Sequence, residues 1–156
     1  MAERPKLGHV AVQVDDPEAS AMFYTEFFGF SVVGRSSSPI TGRMVLLTAN
    51  RTEEDHVLQL LERREAEHVA FRVESLAELK AWHQEAKRKG IPIAMSANHG
   101  TQVGFFVKDP ASGRFVEVYW PTGRTDIEAS LTPIDLELPD EEILAAVRAL
   151  GVTPRP

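Results

Sequence analysis

Cysteine is absent from all 156 residues. Disulfides, zinc–thiolate centres and thiol nucleophiles are therefore excluded. Long apolar runs are missing too. None approaches the ~20 residues of a membrane-spanning helix, and MAERPKLGHV lacks the apolar core of a leader peptide. The expectation is a soluble, cytoplasmic protein with no membrane partner. Positive charge is in deficit, with 17 Lys and Arg against 23 Asp and Glu, a net charge of −6. That balance argues against an extended phosphate-binding face, so nucleic acid is not an expected partner. What the chain does have is 43% hydrophobic content, enough for one compact domain or two small packed halves. It also has five histidines, His9, His56, His68, His83 and His99, which carry most of its chemical options.

GHVAVQV at 8–14 alternates, setting His9, Ala11 and Gln13 on one face of a strand and three valines on the other. Asp16 and Pro17 then start a helix that Gly29 ends, with Ala19, Phe23 and Phe27 on one helical face. A short strand at Phe30–Gly34, a loop SSSPITG, and strands RMVLLTAN and HVLQLLE follow. At 67–75 the pattern restarts. EHVAFRVES repeats GHVAVQVDD, with His68 in the place of His9. A helix over Leu76–Lys89 follows, with Leu79, Trp82 and Ala86 on one face and Gly90 after it; His83 on this helix is read as structural. IPIAM is a short strand, and two apolar runs flanking the turn DPASG form a closing hairpin from Thr101 to Pro121. Each half reads β-α-β-β-β, which indicates internal duplication. The fold expected is α+β, with two tandem βαβββ modules (about 6–63 and 66–121) forming a curved mixed sheet, a cup, within one domain, 1–121. Residues 122–156 form a C-terminal extension, extended over PTGRTDIEASLTPIDLEL and ending in an amphipathic helix, 140–150.

The duplication supplies geometry. It places His9 and His68 at equivalent points on first strands, and Gln59 opposite Glu117 on last strands. Glu117 interrupts the apolar run Phe115, Val116, Val118, Tyr119, Trp120, and a carboxylate buried there needs a cation or strong donors. Two neutral imidazoles and one carboxylate with open positions form the facial triad of non-haem Fe(II) sites, and the same set suits Mn(II), Zn(II) or Ni(II). The expected metal ligands are thus His9, His68 and Glu117. Taken singly, each histidine also reads as a core imidazole bonded to backbone.

Residues 8–121 resemble the vicinal oxygen chelate superfamily (glyoxalase I, fosfomycin- and bleomycin-resistance proteins, extradiol dioxygenases). The motifs that carry the resemblance are GHVAVQVDDPEASAMFYTEFFGF, EHVAFRVES and DPASGRFVEVY. It implies the same three ligands. Bacterial glyoxalase I has a glutamate ligand where Gln59 stands, and fosfomycin-resistance enzymes a threonine where Ala11 stands. AMSANHGTQVGFFVKDPASGRFVE resembles the extradiol branch, which implies catalytic roles for His99, as general acid/base, and for His56. Phe106 stands where that branch has tyrosine. An apolar ring would be held by Met95, Phe105 or Phe106, Val103 and Tyr119, with Gln59 lining the cup. The implied activity is Fe(II)-dependent ring cleavage of a catechol-like diol, with O2 as co-substrate. The alternatives left open are a redox-neutral glyoxalase or isomerase and a metal-free binding module. Homodimer pairing is left open by the same resemblance.

Overall fold

The computed structural model describes residues 3–123 and 130–154. The chain divides into two compact units, Gly8–Ala70 and the described chain on either side of it. Both expected βαβββ modules are present. The first runs β1 (Lys6–Gln13), α1 (Pro17–Phe28), β2 (Ser31–Ser38), β3 (Gly42–Thr48) and β4 (Leu58–Leu61). The second runs β5 (His68–Arg72), α2 (Leu76–Arg88), β6 (Met95–Asn98), β7 (Gln102–Lys108) and β8 (Phe115–Pro121). A two-residue β9 (Thr132–Pro133) and α3 (Asp140–Ala149) follow. The class is α+β with mixed strand pairing, as expected.

In the unit Gly8–Ala70 the strand order is β2-β3-β4-β1, antiparallel except for the parallel β1/β4 pair. Register puts Val10 beside Leu58 and Val12 beside Leu60, and Ala11 beside Gln59. The first set lies on the α1 side, where Leu58 and Leu60 join a core of Ala21, Val45 and Leu47 with Val10 and Val14 packed on it, while Val12 stays largely exposed. The second set shares the opposite face with His9, because side chains alternate along a strand. Asp16 caps α1 by accepting from the Glu18 and Ala19 N–H groups, and Gly29 closes it at φ 73°.

Two expectations change in this unit. The helical face marked by Ala19, Phe23 and Phe27 is not the core side of α1. Pro17 and Ala21 are buried instead, with Tyr24 packed alongside, and Phe23 and Phe27 stay 54% and 73% exposed. Large apolar residues lie on both its inner and outer sides, so periodicity could not choose its inner face. The expected loop SSSPITG is mostly strand. β2 continues to Ser38, paired with Gly42, and only 39–41 turn, where the Ser38 hydroxyl accepts the Ile40 and Thr41 N–H groups.

In the other unit the antiparallel order is β8-β7-β6-β9, and Val73, just past β5, donates its N–H to the Tyr119 carbonyl at 2.9 Å. Register aligns Met95, Phe106 and Glu117 as one cross-strand row. The other face carries Val103, Phe105, Val118 and Trp120 into a core with Leu76, Leu79, Ile143 and Val147, so α2 and α3 share one apolar layer. Val103 and Phe105 are therefore core residues, and Phe106 alone of the Phe105/Phe106 pair lies on the Glu117 face. IPIAM joins the ladder only at its end, where Ala94 N–H donates to the Phe106 carbonyl and Met95 begins β6; before that Pro92 has no N–H and Ile91 N–H donates back to Ala86 in α2. The expected extended segment after Pro121 falls partly on 124–129, outside the described residues. Among the described residues no helix is long and apolar enough to cross a membrane.

Candidate active site

His9 sits mid-strand on β1 and is 1% exposed. His68 opens β5. Their Nε2 atoms face each other at 3.1 Å. His68 Nδ1 lies 2.9 Å from the Ala66 carbonyl, which can only accept, so Nδ1 carries the proton and Nε2 presents a lone pair. A histidine whose far nitrogen is tied to a backbone carbonyl is oriented as metal-ligating histidines are. Two ligand nitrogens at right angles around an ion, each ~2.1 Å from it, stand about 3.0 Å apart. The observed separation therefore fits two adjacent ligands of one cation.

His56 packs its ring on His9, with centroids 4.3 Å apart. Both of its nitrogens are engaged. Nδ1 lies 3.1 Å from the Asp55 carboxylate and Nε2 2.7 Å from the Gln59 amide nitrogen. The carboxylate takes Nδ1–H, and Nε2 then accepts from Gln59. The result is a buried chain, Asp55–His56–Gln59, that fixes one imidazole tautomer and one carboxamide orientation beside His9.

Glu117, on β8, is also 1% exposed. The Gln102 amide donates to its Oε1 at 2.9 Å, and His99 Nε2 stands 3.6 Å from the same oxygen. The Ser130 carbonyl accepts from His99 Nδ1 at 2.8 Å, which leaves Nε2 as the ring nitrogen turned toward Glu117. The His99 loop is tied down on several sides. Asn98 donates to the Ala146 carbonyl of α3, Gly100 N–H donates to Asn98, and the Thr122 hydroxyl donates to the Gly100 carbonyl. Phe106, 5% exposed, meets His99 edge-on at 6.1 Å. Tyr119 is fully buried two residues beyond Glu117, on the same strand face.

The structure thus brings His9, His56, Gln59 and His68 together in one unit, and Met95, His99, Phe106, Glu117 and Tyr119 in the other. His83 lies apart, buried in α2 against Phe105. Sequence reasoning missed Asp55, Gln102, Gly104 and Ser130. Gly104 carried a signal, since a glycine inside a strand pattern marks a close approach. A Cβ there would lie 2.9 Å from the Glu117 carboxylate.

Paired βαβββ modules carrying imidazoles and a carboxylate at matched strand positions define an α+β scaffold built by duplication. Residues 6–118 match the Glyoxalase/Bleomycin resistance protein/Dioxygenase superfamily, and the chain belongs to that family. No curated protein sequence is close enough to count as a match. Among solved structures, the Mn(II)-bound glyoxalase from Novosphingobium aromaticivorans is similar, with a TM-score of 0.63 and 21% identity over 86% of this chain and 43% of that one. The 2,2',3-trihydroxybiphenyl 1,2-dioxygenase of Sphingomonas wittichii strain RW1 has a TM-score of 0.63 and 23% identity, over 84% of this chain and 44% of that one. A Streptomyces coelicolor methylmalonyl-CoA epimerase variant has a TM-score of 0.58 and 23% identity, over 83% of this chain and all of its own. These likenesses share the fold, and the chain spans less than half the length of the glyoxalase and dioxygenase structures.

Proposed function

We propose that this protein is a metal-dependent enzyme holding one divalent ion through His9, His68 and Glu117, and that it is an Fe(II)-dependent extradiol-type dioxygenase of a catechol-like diol. The observation that carries the metal reading is the 3.1 Å approach of two imidazole Nε2 atoms, one with its tautomer fixed by Ala66. The buried Glu117 carboxylate adds the negative charge that a cation requires there. When bound, the ion supplies Lewis acidity that lowers the pKa of a substrate hydroxyl and orients vicinal oxygens.

In this reading His99 is the general base. Its Nδ1–H is held by Ser130, and its Nε2 lone pair accepts a proton from substrate. Phe106, Met95 and Tyr119 form the apolar wall against which a ring lies. His56 has both nitrogens occupied, so it positions Gln59 instead of exchanging protons with substrate. Gln59, its NH2 directed at His56, offers its carboxamide oxygen to a substrate hydroxyl. Residues 1–121 form the catalytic domain, and the extension 122–156 anchors His99.

The test is anaerobic loading with Fe(II), followed by oxygen uptake on a panel of catechols. The reading predicts one O2 consumed per diol cleaved. Iron-loaded protein that consumes none with any diol contradicts it. A second reading, a redox-neutral glyoxalase- or epimerase-type enzyme, is favoured by Phe106, which offers no hydroxyl beside His99. It predicts Ni(II)- or Co(II)-dependent proton exchange next to a carbonyl, without oxygen uptake.

A further inference from the structure

Glu117 on β8 pairs in register with Phe106 on β7. Gln102, Gly104 and Phe106 share one face of β7, because side chains alternate along a strand. Glu117 Oε1 lies 2.9 Å from where a Cβ at Gly104 would stand, and it accepts the Gln102 carboxamide N–H at 2.9 Å. The Glu117 side chain therefore runs along β7, crosses the glycine and ends on Gln102. Both ends of that hydrogen bond are buried, Gln102 at 5% exposure and Glu117 at 1%. His99 Nε2 stands 3.6 Å from the same oxygen, beyond hydrogen-bond distance, so Gln102 is the donor that holds it.

We infer that Gln102 is a positioning residue: by holding Oε1 it restricts Glu117 to binding the ion through Oε2 alone. The inference rests on the reading of Glu117 as a metal ligand and adds how it ligates. The chemistry of the carboxamide suits the task in two ways. An ionised carboxylate can only accept, so the Gln102 NH2 group faces it in a fixed orientation. Gln102 is also neutral. It satisfies a buried carboxylate oxygen without cancelling the negative charge a cation requires, as a lysine or arginine there would. A six-coordinate ion held by two imidazoles and one carboxylate oxygen keeps three positions open, whereas a carboxylate binding through both oxygens leaves two. Gln102 thus sets how many positions stay available to substrate, although it touches neither substrate nor ion.

The test needs no turnover. Mn(II) is loaded onto the full chain, and water-proton relaxation per bound ion reports the number of waters on it. Gln102→Met keeps the length of the side chain and removes the donor. Oε1, released, should join the ion and displace a water, so the relaxation enhancement per bound ion should fall by about a third, from three waters to two. A loss of ~10–100-fold in affinity would follow from a purely structural role as well, so the water count decides. A second measurement works on the parent alone. With carbon-13-labelled glutamate, addition of Mn(II) should give the wide separation of carboxylate stretches that marks one-oxygen binding, and Glu117→Gln should lack it. A parent-like water count in Gln102→Met overturns the inference, with or without a loss of affinity, as does a narrow, two-oxygen separation in the parent. A parent that takes up no Mn(II) overturns the metal reading itself and this inference with it.

Discussion

Gly104 sits in β7 where any side chain would collide. A Cβ there would lie 2.8 Å from the Val118 carbonyl, 2.9 Å from Glu117 Oε1 and 3.0 Å from Tyr119 Cβ. Backbone cannot yield as a flexible side chain does, so Gly104→Ala should cost about 1–3 kcal/mol in urea unfolding through overpacking. It should also weaken metal binding, since Glu117 is the group able to move. Asp55 acts at one remove. Asp55→Asn removes the carboxylate that holds the His56 tautomer, and His56 packs on His9. Outer partners of this kind are worth ~10–100-fold in metal affinity, and a calorimetric titration with Mn(II) should show a loss in that range. His83 gives a pH prediction. Burial holds its pKa below the usual value, with Glu137 opposing and Lys87 assisting more weakly. The unfolded chain therefore binds the proton more readily. The folded state keeps this stability fully above the unfolded pKa, near 6.5, and loses it as pH falls below that toward the folded pKa. His83→Leu should flatten the decline in urea stability between pH 7 and pH 5 relative to the parent.

At the scale of elements, α3 is part of the core and not an appendage. Ile143 and Val147 are fully buried beside Leu79 and Val103. Ile143→Ala should cost ~2–5 kcal/mol by unfolding, whereas Phe27→Ser on the outer face of α1 should change monomer stability by less than about 0.5 kcal/mol. Much of this architecture was legible in the sequence. Asp16 and Pro17 announced the start of α1, Gly29 its end, and the repeated His-Val-Ala fixed both modules, because caps, turns and repeats act over short distances. The hairpin round DPASG was legible as well, but its register, which puts Phe106 on the Glu117 face and sends Val103 and Phe105 into the core, was not. The inner face of α1 was not legible, since its four aromatic residues span an arc of ~140° and only packing chooses among them. The length of β2 depended on pairing with β3 beyond what Ser-Ser-Ser suggests alone. The anchoring of His99 depends on Ser130, 31 residues away, and on Asn98 reaching α3. No local pattern encodes contacts of that range.

For the whole molecule, the account predicts that folding and metal occupancy are linked. An ion that binds only the folded chain should raise stability by ~2.7 kcal/mol at a free concentration 100 times its dissociation constant, and chelation should return the melting temperature to that of the metal-free protein. The central claim is that two imidazoles and one carboxylate share a cation. Equilibrium titration of the metal-free chain with Mn(II) tests it most directly. The account predicts one ion per chain, with affinity reduced at least ~100-fold in both His68→Ala and Glu117→Gln, each of which removes a ligand. No stoichiometric binding by the parent, or parent-like binding by either variant, would contradict it.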